Sequence, residues 1–433
     1  MVLMALLTLP LSQNLALSSS RTGNSPADGP PTRAGNSPIT GAFFGMHIAS
    51  PRTPWPLPDV GMLRLHACHS NWDQIEKSPG VYNFKTLDKW VARARQHKAQ
   101  PVYTFVAVPQ FYSSDPNDRT CNYAPGACHP PQDLNADGSG TDAAFKAFVT
   151  AIVNHVGSKI RYWEIWNEPN QATQWIPTDD KLPYSQIARM AQDAQAIIKA
   201  ANPNALVLTP APVGYPTGAQ KWLDGYLGAG GGQYADVIAF HGYVNPSWKK
   251  GDYPIAENEV RLIASVRRRM KEHGQQDKPL WITEGGWGNA HLTGFTDPIL
   301  QSAFTARYVL LQQSLEIDRA FWYQWDNPTG AGTLWKGPMQ NDLRMPGVAY
   351  QHIAQWTRGA TITAPCKPYE GSTIWTCEYT RPAGYKAMVI WNTAGLSQVD
   401  VPPQYKHARG LLGKRWKVGK TVAVGTWPVL LEN

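Results

Sequence analysis

The chain has 433 residues, of which 42% are hydrophobic and 17% charged, with 40 Lys and Arg against 32 Asp and Glu, a formal net charge of +8. That length holds one large domain and a small one, and the composition excludes an unfolded, highly charged chain. The only basic cluster, Arg267-Arg268-Arg269, falls inside a predicted helix and reads as a solvated face, so no nucleic-acid partner is expected.

The first residues, to about Ala16, form an apolar run too short and too interrupted to span a membrane. It reads as a signal peptide over 1–18, with Ala16-Leu17-Ser18 as the cleavage region, although the usual basic start is missing. Residues 19–38 are rich in Ser, Pro, Gly and Asn and read as a linker. The reading implies a secreted or periplasmic protein, and the five cysteines agree with export. The spacings Cys121–Cys128 and Cys366–Cys377 each permit a disulfide without requiring one, which leaves Cys68 as a buried thiol.

From residue 39 onward, strand-like and helix-like segments alternate. The first strand covers 42–49 and carries His47 near its end. Four prolines in residues 50–58 rule out an ordinary helix before the second strand, 60–67, which carries Arg64 and His66. A helix over 85–98 buries Leu87, Trp90, Val91 and Ala94 on one face, and a third strand follows at 101–108. The next connection, 109–140, holds the first cysteine pair; loops that long are usually functional, and this one is placed to wall a cleft. A helix over 142–156 leads to the fourth strand, 160–166, which delivers Asn167 and Glu168 before Pro169 stops it.

A helix over 184–201 and strands at 205–210 and 236–240 come next, the latter running into His241-Gly242-Tyr243. The helix over 257–273 stops at Gly274, strand seven at 280–283 delivers Glu284, and a helix over 298–315 precedes strand eight at 319–325. A last helix, 347–356, completes a (β/α)₈ TIM barrel over 39–358 with an irregular first unit. From 359 to 433 short alternating apolar stretches between Gly, Pro and Asn predict a small C-terminal antiparallel β-sandwich.

The informative stretches are Trp163-Glu164-Ile165-Trp166-Asn167-Glu168-Pro169-Asn170 and Leu280-Trp281-Ile282-Thr283-Glu284-Gly285-Gly286-Trp287. Each is a short strand that ends in a glutamate, and a parallel barrel keeps its chemistry at strand C-termini. Two carboxyls about 5–5.5 Å apart suit glycoside cleavage with retention. Eighteen Trp and eighteen Tyr would fill a large core or line a sugar cleft, and the positive charge would attract an acidic polysaccharide.

At these residues the chain resembles clan A glycoside hydrolases. Trp166-Asn167-Glu168-Pro169 is similar to that clan's strand-four signature, which implies Glu168 as general acid/base and Asn167 as a substrate-binding amide. Thr283-Glu284-Gly285-Gly286-Trp287 is similar to its strand-seven nucleophile region, which implies Glu284. The resemblance further implies Tyr243 as partner of the nucleophile, Arg64 beside it, and Trp325, rather than Trp322, beneath the sugar. Over about 40–358, and with the appended sandwich, the layout is most similar to family 39 and its relatives.

Structural alternatives stand beside these roles. The alternative for Arg64 is a pairing with Glu164 inside the barrel, that for His241 is a core histidine, and His47 is a weaker candidate for sugar hydroxyls. The expected activity is a retaining glycosidase acting on a β-linked carbohydrate substrate, with no cofactor and no metal. A transglycosylase would use the same carboxylates, and a non-catalytic carbohydrate-binding barrel is the reading from another class.

Overall fold

The protein is described by a computed structural model that covers residues 37–57, 60–66, 68–327, 331–369 and 371–433. The expected signal peptide and nearly all of the expected linker lie outside the described residues. The described chain divides into two compact units, Ile39–Arg358 and the segment from Gly359 to Asn433.

The first unit is built on eight parallel strands: β1 Phe44–Met46, β2 Met62–Leu65, β3 Gln100–Thr104, β4 Tyr162–Glu164, β5 Leu206–Leu208, β6 Ile238–His241, β7 Leu280–Gly285 and β8 Arg319–Trp322. They neighbour one another in chain order, β1 also pairs with β8, and a parallel bridge from Leu208 to Val237 joins β5 to β6 and closes the ring. Nearly every strand residue is buried, as expected of parallel strands covered on both faces. The described residues of the connection from β1 to β2 form no helix, in keeping with its prolines.

Side chains alternate inward and outward along a strand, and here the alternation stacks two kinds of layer inside the barrel. Met62, Val102, Tyr162, Ala239, Trp281 and Phe321 form an apolar plug. Two residues further along β2, β3, β4 and β6 stand Arg64, Thr104, Glu164 and His241, all buried. The barrel is therefore apolar at its base and polar at the strand C-termini.

The longer helices among the described residues are α1 Lys85–Gln96, α2 Ala143–Val156, α3 Ser185–Ala201, α4 Gly218–Gly228, α5 Asn258–Glu272, α6 Pro298–Ser314 and α7 Met345–Thr357. Each buries an apolar face; in α2 it is Phe145, Phe148, Val149, Ile152, Val153 and Val156. Helix α6 is buried on nearly all sides and is tied to α7 by Gln313 Nε2, which donates to Thr357 Oγ1 at 3.0 Å.

Helix α4 is absent from the sequence reading. Three of its eleven residues are glycines, which weaken helical propensity and hide the pattern. Packing of Trp222, Leu223, Tyr226 and Leu227 holds it instead. Gly225 gives room to the Tyr184 ring, whose hydroxyl would lie 2.2 Å from a Cβ at that position, so a larger residue there would displace the ring.

Asp142, just before α2, is fully buried. Burial, with Asp193 and Asp133 adding to it, pushes its carboxyl up from 3.8 to about 8. An acid whose pKa is raised on folding binds more protons in the folded state, so stability falls as pH rises between those two values. Asp142→Asn keeps the shape, tolerates the left-handed φ of 45° and carries no charge. It is expected to gain on the order of 2–4 kcal/mol at pH 8, with the gain vanishing toward pH 4. Thermal melts at pH 5 and pH 8 check this.

The second unit is antiparallel. Strands β9 Thr361–Pro368, β10 Ile374–Arg381, β11 Tyr385–Asn392, β13 His407–Gly410, β14 Arg415–Lys417 and β16 Val429–Glu432 form one sheet in the order β9-β10-β11-β16-β13-β14. The pair β12 Ser397–Asp400 and β15 Thr421–Val424 forms a second. Val399, Val422 and Val424 of the small sheet pack on Met388, Ile390, Ala408 and Leu431 of the large one, which makes the sandwich. Both cysteine pairs are bridged: Cys121–Cys128 in the long β3–α2 connection, and Cys366–Cys377 between β9 and β10. Cys68 is free and buried, and burial pushes its thiol up to about 11.

Candidate active site

Arg64 organises the C-terminal mouth of the barrel. Its Nε donates to Glu164 Oε2 at 2.7 Å, Nη1 to Glu284 Oε2 at 3.0 Å and Nη2 to Asn167 Oδ1 at 2.9 Å. Burial alone would lower its pKa, but Glu164 and Glu284 outweigh burial and raise it, so the charge is permanent. Thr104 donates to the same Glu164 oxygen at 2.8 Å. The two roles open for Arg64 are thus filled together: one edge of the guanidinium is anchored in the barrel, and the other reaches Glu284.

Glu164 ends the regular part of β4, earlier than the sequence suggested. The chain then runs on beside β5 through a bridge between Asn167 and Ala211. Glu168 N–H donates to Ala211 O at 2.9 Å, and Glu168 itself sits at φ 43°, a left-handed conformation unusual for glutamate. Its side chain is 18% exposed.

Glu284 reaches the mouth by a different device. Along β7 the register skips a residue against both neighbours: Phe240 pairs with Ile282 but His241 with Glu284, and Ala320 pairs with Ile282 but Trp322 with Gly285. The extra residue is a bulge, which re-aims the side chains beyond it. Trp281 points into the barrel, so strict alternation would send Glu284 outward; the bulge returns it inward.

The carboxylates share their surroundings. Tyr243 donates to Glu284 Oε1 at 2.9 Å, and His241 Nδ1 lies 2.9 Å from Glu168 Oε1 and 4.0 Å from Glu284 Oε1. One oxygen of each carboxylate lies within 4.8 Å of the other and of a His241 nitrogen. Burial pushes Glu168 up to about 7, with Arg64 opposing. Burial also raises Glu284, with Glu168 adding and with His241, Arg64 and the Tyr243 hydrogen bond opposing. Burial lowers His241 to about 4 against the pull of Glu284, so it is neutral at pH 7. One proton then serves the His241–Glu168 hydrogen bond, and it rests on either partner.

His47 and Trp325 depart from expectation. Both are fully buried. His47 Nε2–H donates to Thr283 O at 3.0 Å and its ring lies against Tyr323, centroids 5.0 Å apart. The Trp325 indole donates to Pro54 O at 3.0 Å and has no face to offer a sugar. Trp322 is buried as well, against Trp287 and Tyr308. Tyr323, one residue past β8, is partly exposed, and burial, with the charges of Glu284 and Glu168 adding to it, raises its phenol well above the ordinary range.

Two further aromatics escaped the sequence reading. Trp248, 44% exposed, stands edge-on to Tyr243 with centroids 5.6 Å apart. Tyr123, from the disulfide-bridged connection, places its hydroxyl 2.7 Å from His66 Nε2. Only the length of that connection hinted at a role.

Three groups of described side chains gather enough donors for a metal ion: Asp118, Cys121, Cys128 and His129; His47, His66 and Glu284; and Glu168, His241 and Glu284. The first spends its thiols on a disulfide. The other two share Glu284 with the Arg64 guanidinium, so a divalent ion would face a fixed positive charge.

A parallel eightfold barrel whose fourth and seventh strands bring two glutamates together at its C-terminal mouth defines a clan A glycoside hydrolase. The family model described as Cellulase (glycosyl hydrolase family 5) matches residues 79–328, and the chain belongs to that family. It is a glycosidase and acts on carbohydrate. No curated protein matches the sequence.

Solved structures share the fold. A family 39 glycoside hydrolase from Bacteroides cellulosilyticus is 17% identical at a TM-score of 0.66, over 91% of this chain and 80% of that one. A monomeric beta-xylosidase from Caulobacter crescentus is 15% identical at a TM-score of 0.65, over 92% of this chain and 97% of that one. A glucosidase from Croceicoccus marinus is 16% identical at a TM-score of 0.56, over 93% of this chain and 98% of that one. The clan expected from sequence is met; family 39 enters through solved structures, while the matching family model is that of family 5.

Proposed function

We propose that the protein is a retaining glycosidase that hydrolyses β-linked O-glycosides of oligo- or polysaccharides by double displacement, with Glu284 as nucleophile and Glu168 as general acid/base. The observation that carries this is the close approach of the two carboxylates, with oxygens within 4.8 Å. An inverting enzyme separates them by about 6.5–9.5 Å to admit a water molecule. In the first step Glu284 attacks the anomeric carbon while Glu168 gives its proton to the departing oxygen. In the second Glu168 takes a proton from water, which displaces Glu284 from the sugar. Arg64 and Tyr243, each hydrogen-bonded to Glu284, aim its oxygens and favour the ionised form.

Arg64 occupies the Asn167 amide oxygen, so the amide NH₂ is the group left to grip a sugar hydroxyl. Tyr323 and Trp248 supply the aromatic platforms, in place of Trp325. The 39–358 barrel carries the chemistry, with the 359–433 sandwich as accessory domain. We further propose export from the cytoplasm, supported by the two disulfides; no helix among the described residues is long and apolar enough to cross a membrane.

The test is proton NMR of early turnover on the aryl β-glycoside that a broad panel shows to be cleaved. The first product is expected to be the β-hemiacetal, with the α form growing in later by mutarotation. An α product at the earliest times would sink the double displacement.

A further inference from the structure

The pair Tyr123–His66 lies outside the roles assigned above, yet it touches the proposed nucleophile. His66 Nε2 is 2.7 Å from the Tyr123 hydroxyl, and His66 Nδ1, buried and without a hydrogen-bond partner, is 3.8 Å from Glu284 Oε2. An imidazole that faces a carboxylate attracts it only if the facing nitrogen carries hydrogen. His66 is neutral, because burial lowers its pKa and Arg64, His47 and His241 add to that. Its single proton must therefore sit on one nitrogen or the other.

Tyr123 decides which. Burial and the charges of Glu168 and Glu284 hold its phenol far above the ordinary range, so it keeps its proton. Glu284 Oε2, 3.8 Å from His66 Nδ1, favours hydrogen on that nitrogen, which leaves Nε2 bare on the side of the phenol. The phenol O–H donates to that bare Nε2 at 2.7 Å, which holds the imidazole proton on Nδ1, toward Glu284.

The phenol is also held in place. The Cys121–Cys128 bridge spans it, with the two Cα atoms 5.2 Å apart, and these cysteines pack on Val106 and Ala107 beyond β3.

We propose that Tyr123 is a positioning residue for the nucleophile: its hydroxyl fixes the His66 tautomer whose Nδ1–H faces Glu284, and the disulfide-closed connection holds it there. The inference rests on the reading of Glu284 as nucleophile. The other groups facing Glu284 are Arg64, His241, Tyr243, Glu168 and Tyr323. All of them persist when the Tyr123 hydroxyl is removed, so a change can be assigned to it.

Tyr123→Phe removes the hydroxyl and keeps the ring. In ¹⁵N-histidine-labelled protein, with His66→Gln used to assign the signal, wild-type His66 is expected as the Nδ1–H tautomer and the Tyr123→Phe variant as the other tautomer or a mixture. In kinetics the acid limb of kcat/KM, which reports ionisation of Glu284, is expected to move up by about half a unit to one unit. A merely structural role would lower the profile without moving its limb. A wild-type limb and an unchanged tautomer in Tyr123→Phe, beside an inactive Glu284→Gln, overturn this inference alone. An active Glu284→Gln overturns the nucleophile assignment and this inference with it.

Discussion

Glu284→Gln is expected to lower kcat by at least about four orders of magnitude while leaving the fold intact. The side chain sits where Arg64 Nη1 and the Tyr243 hydroxyl both donate to it, on separate oxygens. A carboxamide has one acceptor oxygen, so one donor would meet an NH₂ group, and the amide is no nucleophile. The fold survives because Arg64 keeps Glu164 and Asn167 as partners, and these fix it in the barrel without Glu284. Circular dichroism and the melting temperature check that point, and initial rates on the aryl glycoside check the loss.

A companion variant separates loss of a nucleophile from loss of a structural ion pair. Glu284→Gly opens a space beside the anomeric carbon. Added azide is expected to enter it and restore turnover, forming the carbon–nitrogen bond from the vacated side while the aglycone leaves, so that the product is a glycosyl azide of inverted configuration. Rescue without that product would argue that Glu284 serves only to balance Arg64.

The two glutamates could be read from sequence because each ends a short apolar strand in a cluster of Trp, Asn, Pro and Gly, and such strands have few other ways to end. How each glutamate reaches the mouth could not be read. Glu284 depends on a bulge that shows only in the register against β6 and β8, and Glu168 depends on a left-handed backbone that glutamate seldom adopts. Beyond β8 the family resemblance implies Trp325, but that ring is buried with its indole donating to Pro54 O, while Tyr323 is partly exposed and feels the charge of both carboxylates. The sequence places His241 among the site residues with a core histidine as the alternative; its ring is fully buried and its Nδ1 lies 2.9 Å from Glu168 Oε1.

Tyr123 and Trp248 were beyond reach because they come from connections. Tyr123 is 57 residues from His66, and nothing in the local pattern of the chain records that they meet. Helix α4 escaped for the opposite reason: its apolar face is present, but its glycines suppress the helical signal that would reveal it.

Glu168→Gln is expected to split substrates by leaving group. A glycoside with a poor leaving group needs its oxygen protonated as the bond breaks, and turnover should fall by about two to four orders of magnitude. A dinitrophenyl glycoside leaves as a stable anion and needs little help, so its first step should be nearly unaffected. The second step still lacks its base, so the glycosyl–enzyme should accumulate and KM should fall.

The pH profile carries the same signature. Burial holds the Glu168 carboxyl at about 7, so it is protonated below that pH and ionised above it. Wild-type kcat/KM on a poor leaving group is therefore expected to decline as pH rises through about 7, and Glu168→Gln to lack that alkaline limb. His241, neutral over the same range, contributes no limb of its own there; its hydrogen bond to Glu168 passes from accepting the carboxyl proton to donating its own. Equal losses on both classes of leaving group, with the alkaline limb retained, would move the acid role from Glu168 to another group.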